Sequence, residues 1–493
     1  YFFSIIMNLF NLNTSRHFYT NWHVIWTSRR IVYLCKQKTG MRIFIFTIFY
    51  FSFYVTFAQP GSLNTQFASG GILQYSVSDG TDYATAVTAN QNGDLYVAGT
   101  KEAGYDTGKE IFIAKFNQTG VLDNQFGTNG IVSIKLFHYI TIIKIILQSD
   151  NKIIVGGYGN DKDKTSEVFF IRLNADGKRD MQFGDNGIAV STFTKLFPAN
   201  KDVYQLYDFD IDFYNNIVGV GSSNGNNLGN LIITKFKSDG RLDVNFGYGG
   251  HYINRFPICD PLDVDSKDKC KATTIVALAD GTYLIGGDAV PKNNPNPTNN
   301  FIIQKINNNG TADSAFSYGR AVQQGFEDAF DDLKDIMLDA KGNYILCGTT
   351  TSNSNDDFGA MLINKKGYLD YSYFGDISKK YGPTGKIKLE FAKKSNETLR
   401  CSIMQPDGKF LLIGVGTDHN ILVARYNADG QLDTDFGDEG TIEYKHPDIT
   451  ANDYFDIHDA TLDNLGNLII AGWSSKSGAD TKADVFLISF KLL

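Results

Sequence analysis

Acidic residues are missing from the first 58 positions of this 493-residue chain, and cysteine, histidine, proline and tryptophan are sparse throughout, at 5, 7, 10 and 3 residues. Each shortage excludes something. With so few prolines and 48 glycines scattered along the chain, neither a collagenous nor a proline-rich disordered sequence fits. The histidines at 138, 251, 419, 446 and 458 fall at unrelated places, and no HExxH or phosphate-binding loop occurs. Zinc therefore has no ligand set at recognisable spacing. What is abundant is 37 Phe, 26 Tyr and 42% hydrophobic residues, a composition suited to many short strands joined by turns.

Charge divides the chain. Residues 1–58 hold six Lys or Arg, so the remaining 40 basic and 54 acidic residues give the body about −14. No basic cluster is available to track nucleic-acid phosphates, and nucleic acid is excluded as a partner. From Met41 the chain reads MRIFIFTIFYFSFYVTFAQ: one Arg, an apolar run and small residues, the build of a secretory signal peptide over 41–58. The run is shorter than the roughly 20 residues that span a bilayer, so no transmembrane span is expected after its removal. Residues 1–40 follow neither a targeting pattern nor the repeat below and are read as an upstream or non-native leader. Export agrees with a local disulfide between Cys259 and Cys270, which flank a polar loop.

A phrase recurs seven times, beginning at Gly61, Gly120, Gly177, Gly240, Gly310, Gly367 and Gly430; the third copy is GKRDMQFGDNG and the seventh GQLDTDFGDEG. The spacing stays close to 60 residues. Between copies lie a hairpin such as QNGDLYVAG or PDGKFLLIG, a third strand such as VFFIRLN, and a fourth such as GIAVSTF. Four short strands per period, with no amphipathic helix, predict an all-β, seven-bladed β-propeller of four-stranded antiparallel blades over residues 59–493. The chain opens with a lone fourth strand and ends after a third, so the N-terminal strand is expected to close the last blade.

The phased DG-x-LD-xx-FG turn and its Q-x-DGK hairpin resemble the delta-60 repeat proteins, and the likeness extends from Pro60 to Leu493. It implies exported propeller-like proteins without an established activity, so no catalytic residue is carried over. Copies five and six depart from the pattern, with Ser317 and Arg320 in place of glycines and an insertion at 375–385.

Asp123, Asp180, Asp243, Asp313, Asp370 and Asp433 occupy one position of the phrase, with Asn64 in the first copy. Calcium is the alternative reading, but Asn64 argues for an Asx turn, a structural role that leaves no cofactor implied. The recurring Phe three residues later is expected to pack between blades. Recognition is then expected where copies differ. Long connections at 191–205, 255–271, 288–299 and 473–484 share one face. Candidate binding residues there are Asp260, Asp263, Asp265, Asp268 and Trp473. Asp208, Asp210, Asp212, Asp456 and Asp459 are expected to line the central channel, as polar lining or as glycosidase carboxylates. The resulting expectation is a secreted or cell-surface, non-enzymatic scaffold that binds an extracellular protein or polysaccharide through the loop-rich face. The alternatives are a glycan hydrolase or lyase and a structural surface component.

Overall fold

A computed structural model describes residues 59–102, 108–162, 166–191, 193, 203–223, 230–254, 271–289, 298–326, 330–352, 354–375, 383–391, 396–417, 419–446, 453–476 and 482–493, with strands at 22–27, 30–37 and 40–43. The chain divides into two units, Tyr1–Phe57 and Ala58–Leu493. In the first, Trp22–Thr27, Arg30–Gln37 and Gly40–Ile43 form an antiparallel sheet in chain order.

The second unit is seven four-stranded antiparallel sheets. Their innermost strands are Asp82–Ala89, Tyr139–Leu147, Tyr204–Ile211, Lys271–Ala277, Phe330–Leu338, Glu397–Met404 and Tyr454–Leu462, which number the blades one to seven. Second strands read as continuous buried runs, for example Ile217–Ser223, because both faces are covered by neighbouring blades. Blade seven takes its outer strand, Ile72–Tyr75, from the other end of the chain, paired with Ala483–Phe490. The seven-bladed propeller with its N-terminal closing strand is therefore as expected.

The repeated phrase joins blades as well as strands. Its phenylalanines Phe67, Phe126, Phe183, Phe246, Phe316 and Phe436 are buried, and in the sixth copy Phe374 takes the place one residue later. The amide after each of them donates to a carbonyl of the next copy. The bonds are Ala68 to Thr119 (2.9 Å), Gly127 to Asp176 (2.9 Å), Gly184 to Asp239 (2.8 Å), Gly247 to Asn309 (3.1 Å), Ser317 to Lys366 (3.0 Å), Gly375 to Asp429 (3.2 Å) and Gly437 to Pro60 (2.8 Å). The last bond returns to the beginning of the unit and closes the ring. This close approach also explains the phrase's leading glycine: Gly177 has φ +85°, and a Cβ there would sit 2.8 Å from the Gly127 nitrogen. Ser317 holds the same turn at φ +47° without a glycine, followed by Tyr318 at +57°, so the irregular fifth copy keeps the joint at the expense of backbone strain.

Five of the phrase aspartates make Asx turns. The first carboxylate oxygen accepts the N–H two residues on in Asp123 (3.0 Å), Asp180 (3.1 Å), Asp243 (3.3 Å), Asp313 (2.9 Å) and Asp370 (2.9 Å). The second oxygen meets a cation eight residues earlier, on the third strand: Lys115 at 2.8 Å, Arg172 at 2.8 Å, Lys235 at 3.5 Å, Lys305 at 3.3 Å and, for Asp433, Arg425 at 2.7 Å. Where the third strand carries Ser489 instead, the phrase carries Asn64, and the two neutral side chains bond at 3.2 Å. In the sixth copy the cation's place is taken by buried Leu362, and Asp370 is left half-exposed. Burial pushes the Asp433 carboxyl up, but Lys409 and Arg425 outweigh it and hold it below its ordinary range. Asp180 is held low in the same way, against burial, by the Gln182 N–H, Lys152 and Arg172.

A second set of aspartates stitches the channel. Asp208 accepts the N–H groups of Phe209 (2.8 Å) and, across the blade boundary, Ile275 (2.9 Å). Asp210 does the same with Ile211 (2.8 Å) and Ala277 (2.9 Å). Asp335 takes Ile336 (2.8 Å) and Ser402 (3.1 Å), and Asp459 takes Ala460 (2.8 Å) and Val87 (2.9 Å). These carboxylates satisfy inner-edge amides that no strand covers. Lys144 supplies a positive charge among them, 2.8 Å from Asp208. Burial raises Asp210 and Asp335 above the ordinary carboxylate range and Asp459 to about 6, against the opposing N–H bonds.

Two stability measurements follow from these arrangements. Asp433→Ala strands the buried Arg425 charge and is expected to cost about 3–5 kcal/mol in chemical denaturation, whereas Asp370→Ala loses only a turn bond, about 1 kcal/mol. Equal costs would remove the cation–aspartate account. The pH dependence has two limbs. Asp459 and Asp331, both raised by burial from 3.8 to about 6, favour the fold when protonated; that contribution is complete below 3.8 and lost as pH rises through 6. Asp180 and Asp433, held low, act oppositely and lose their contribution as pH falls below 3.8. The melting temperature of the full chain should rise on going from about pH 7 to about pH 5, with each raised group contributing on the order of 1–2 kcal/mol. Asp459→Asn should flatten that slope, and an unchanged profile in the variant contradicts the assignment.

Candidate functional site

Each inner strand pairs with its neighbour through one register shift, which leaves a single residue without a partner: Thr85, Ile143, Tyr207, Thr273, Lys334, Arg400 and His458 in blades one to seven. A bulge re-aims the unpaired side chain. Seven equivalent positions thus carry six different residue types.

The most elaborate arrangement at this level spans blades six, seven and one. Arg400 grips Asp456 with Nε and Nη2, at 2.9–3.1 Å. His458 Nε2 lies 3.8 Å from Asp456 and accepts the indole N–H of Trp473 at 3.1 Å. Its remaining proton is therefore on Nδ1 when the ring is neutral. Burial lowers the His458 pKa, with Asp456 opposing, which favours that neutral form. The edge of Trp473 meets Tyr83 at 5.0 Å and 89°, and the Lys109 ammonium lies 5.2 Å from the Tyr83 ring centre. All six side chains are half-buried, so each presents part of its surface to solvent.

A second group lies at the junction of blades four and five. Lys271 sits 3.2 Å from both Asp288 and Asp332, and Lys334 is 2.6 Å from Asp332. Burial first, then the neighbouring Asp332 charge, raises Asp288, which holds the Leu333 N–H at 2.5 Å. Asp332 is held low by Lys334 and Lys271 against its own burial.

Several expectations change here. Asp208, Asp210 and Asp459 are accounted for by the backbone bonds described above, and Asp456 by Arg400. Asp212 does not line the channel: it caps the hairpin after its strand, accepting Tyr214 and Asn216 N–H groups at 2.9 Å and the Tyr283 hydroxyl at 3.0 Å. Trp473 lies within the strand Leu468–Ser475, opposite Asp456, before the variable connection starts. Asp260, Asp263, Asp265, Asp268, Cys259 and Cys270 lie outside the described residues, as do most of the four long connections. Cys347 and Cys401 are free thiols, both pushed up by burial.

Tyr83, Lys109, Lys271, Lys334 and Arg400 were not singled out from sequence. Tyr83, Lys271, Asp332 and Asp456 all precede their bulge by two residues, so the repeat register itself is the signal that finds them. The stretch GSSNG at 221–225 has G-x-S-x-G spacing, yet Ser223 ends a strand and is fully buried, not exposed as a nucleophile must be. Among the described residues no group of three His, Cys, Asp or Glu is arranged to hold a metal ion, and no helix is long and apolar enough to cross a membrane.

Comparison with curated protein sequences finds no match. Solved structures similar to the chain include the polysaccharide lyase Uly1 (10% identity, covering 85% of this chain and 99% of that one, TM-score 0.47). A PL25 ulvan lyase (9%, 85% and 96%, 0.45) and a protein of unknown function from Dyadobacter fermentans (11%, 85% and 100%, 0.41) are also similar. A family model described as "Domain of unknown function (DUF5122) beta-propeller" matches residues 148–183, 278–316 and 405–436. Each matched segment runs from a hairpin turn to a turn phrase, in blades two, four and six, and the match supports placing the chain among propeller families.

Proposed function

We propose that this chain is an exported, non-catalytic binding propeller that takes an extracellular polysaccharide on the face bearing Trp473, Tyr83 and Arg400. The observation that carries the reading is the Trp473–Tyr83 pair at the channel mouth, flanked by His458 and the Arg400–Asp456 ion pair. Half-buried aromatic rings beside fixed polar groups suit sugars, which offer an apolar C–H face and a rim of hydroxyls. Export rests on the signal-like segment 41–58, and the repeat's resemblance to delta-60 proteins agrees with it.

Catalysis fits the same groups poorly. The His458 Nε2 lone pair is engaged by the Trp473 N–H, which leaves no base there in this arrangement. Asp208, Asp210, Asp335 and Asp459 each hold two backbone amides, so none is free to act as acid or nucleophile. Asp288 and Asp332 do have environments that push them apart, but they hydrogen-bond each other and contact the same lysine, closer together than paired glycosidase carboxylates that must flank a bond.

The test is a panel of soluble polysaccharides and extracellular proteins screened against the full chain, followed by calorimetry. Trp473→Ala is expected to weaken polysaccharide binding roughly ten- to hundredfold, the loss of one well-buried aromatic contact. Asp208→Asn should lower stability and leave affinity unchanged. Release of reducing ends or unsaturated sugars by the wild type, lost in Asp208→Asn or Asp456→Asn, would establish the hydrolase or lyase alternative instead. Binding only to proteins would overturn the polysaccharide assignment.

A further inference from the structure

Beside the Tyr83–Trp473 pair, on the same face, a cleft of about 230 Å³ opens between blades one and two, lined by Lys109, Tyr139, Thr141, Tyr158 and Asn160. Its walls are strands rather than loops. Tyr139 and Thr141 begin the inner strand of blade two, Tyr158 and Asn160 end its second strand, and Lys109 begins the third strand of blade one. The two blades are locked together at this point, since the Lys109 N–H donates to the His138 carbonyl at 3.1 Å. Gly108 makes that approach feasible: with φ +82°, it sits where a Cβ would lie 2.6 Å from the His138 oxygen. The cleft is therefore preformed.

Its chemistry is specific. Tyr139 is 53% exposed and is held edge-on to the His138 ring at 4.5 Å and 86°, which fixes the ring without covering it. Lys109 forms no ion pair among the described residues, although Glu102 stands opposite it in the strand ladder; its ammonium rests over the face of Tyr83. This contrasts with the other charged groups of the mouth, where Arg400, Lys271 and Lys334 are each paired with an aspartate. A half-buried cation outside any ion pair among the described residues, next to an exposed aromatic face and the Thr141 and Asn160 polar groups, complements a pyranose ring that carries a carboxylate.

We propose that this cleft is a subsite for a uronic acid residue, so that the polysaccharide bound across the channel mouth is one containing uronate units. The sugar ring lies on Tyr139, and its carboxylate pairs with Lys109. The inference rests on the reading of this face as a polysaccharide site. The body's charge of about −14 opposes long-range attraction of a polyanion. Selection of uronate therefore comes from this local pair, and affinity should fall with ionic strength as a single close charge contact does.

Calorimetry of the full chain with oligogalacturonate and with size-matched neutral cello-oligosaccharide tests it. Wild type is expected to prefer oligogalacturonate; Lys109→Gln should weaken that binding roughly ten- to hundredfold and abolish its salt dependence, without changing the neutral oligomer. Tyr139→Ala should weaken both ligands. Equal binding of the two oligomers by wild type, unchanged uronate affinity in Lys109→Gln, or no uronate binding at all would each overturn the subsite. Where Trp473→Ala still weakens neutral-glycan binding in those cases, the face assignment stands without the uronate subsite. Glycan binding that neither Trp473→Ala nor Lys109→Gln alters would remove both.

Discussion

Seven backbone amides, one after each turn-phrase aromatic, have to find a carbonyl on the next blade, and most other features of this ring serve that requirement. A blade is a four-stranded sheet that buries both faces, so it is stable only between neighbours. The inter-blade bond sets how close the neighbours come. It demands a glycine where Gly177 meets Gly127, because a side chain would displace the donor. It demands a buried phenylalanine to fill the space behind the joint, and a turn that does not give way. The turn is held by an aspartate whose charge would be costly if left alone so near the core; the third strand answers with Lys115, Arg172, Lys235, Lys305 or Arg425. In the sixth copy, where Leu362 replaces the cation, Asp370 is half-exposed, and the first copy follows the same logic. Where the strand offers Ser489, the turn offers Asn64, and neither charge appears.

Much of this was legible in the sequence, since the phrase, its period and its lone fourth strand at the start of the repeats are all linear patterns. Blade number, strand order and closure follow from counting. What the linear pattern hides is partnership across about 60 residues. Phe67 packs beneath Gly120, and the Lys115–Asp123 pair is invisible until the third strand and the turn are folded back on each other. The bulges were hidden for a different reason. One extra residue in an inner strand breaks strict alternation, whereas Asp208, Asp210 and Asp212 all follow the bulge at Tyr207 and are assigned by period two to a common face although the strand ends at Ile211. Only the first two stay there; Asp212 has already entered the hairpin. Trp473 was misplaced because its strand outlasts the apolar run that announces it, continuing through Ser474 and Ser475 opposite Phe455 and Tyr454.

The two kinds of position differ in what constrains them. A turn-phrase residue is constrained by its own blade and the next, and the seven copies are nearly uniform there. A bulge residue is released from the ladder, so its identity is set by neither strand pairing nor blade packing. The bulge positions accordingly range from Ile143 and Thr273 to Tyr207, Lys334, Arg400 and His458. The channel aspartates next to them belong to the first category in spite of their polarity. By accepting amides of the following blade, Asp210, Asp335 and Asp459 replace a missing strand, and burial there raises their pKa values.

The two charged groups at the mouth show how this freedom has been used. Between blades four and five, Lys271 and Lys334 face Asp288 and Asp332, and the set is closed on itself. Between blades one and two, Lys109 forms no ion pair among the described residues and lies over an aromatic ring beside an open cleft. An ammonium over a tyrosine gains less than one against a carboxylate, so the position is stabilised further by whatever anion enters. Because the cleft walls are strands locked by the Lys109–His138 backbone bond, an entering ligand meets fixed geometry and pays little to order the protein. The joint that completes the ring and the cleft that breaks its symmetry thus depend on the same constraint: two blades held at one distance by a backbone hydrogen bond that only glycine permits.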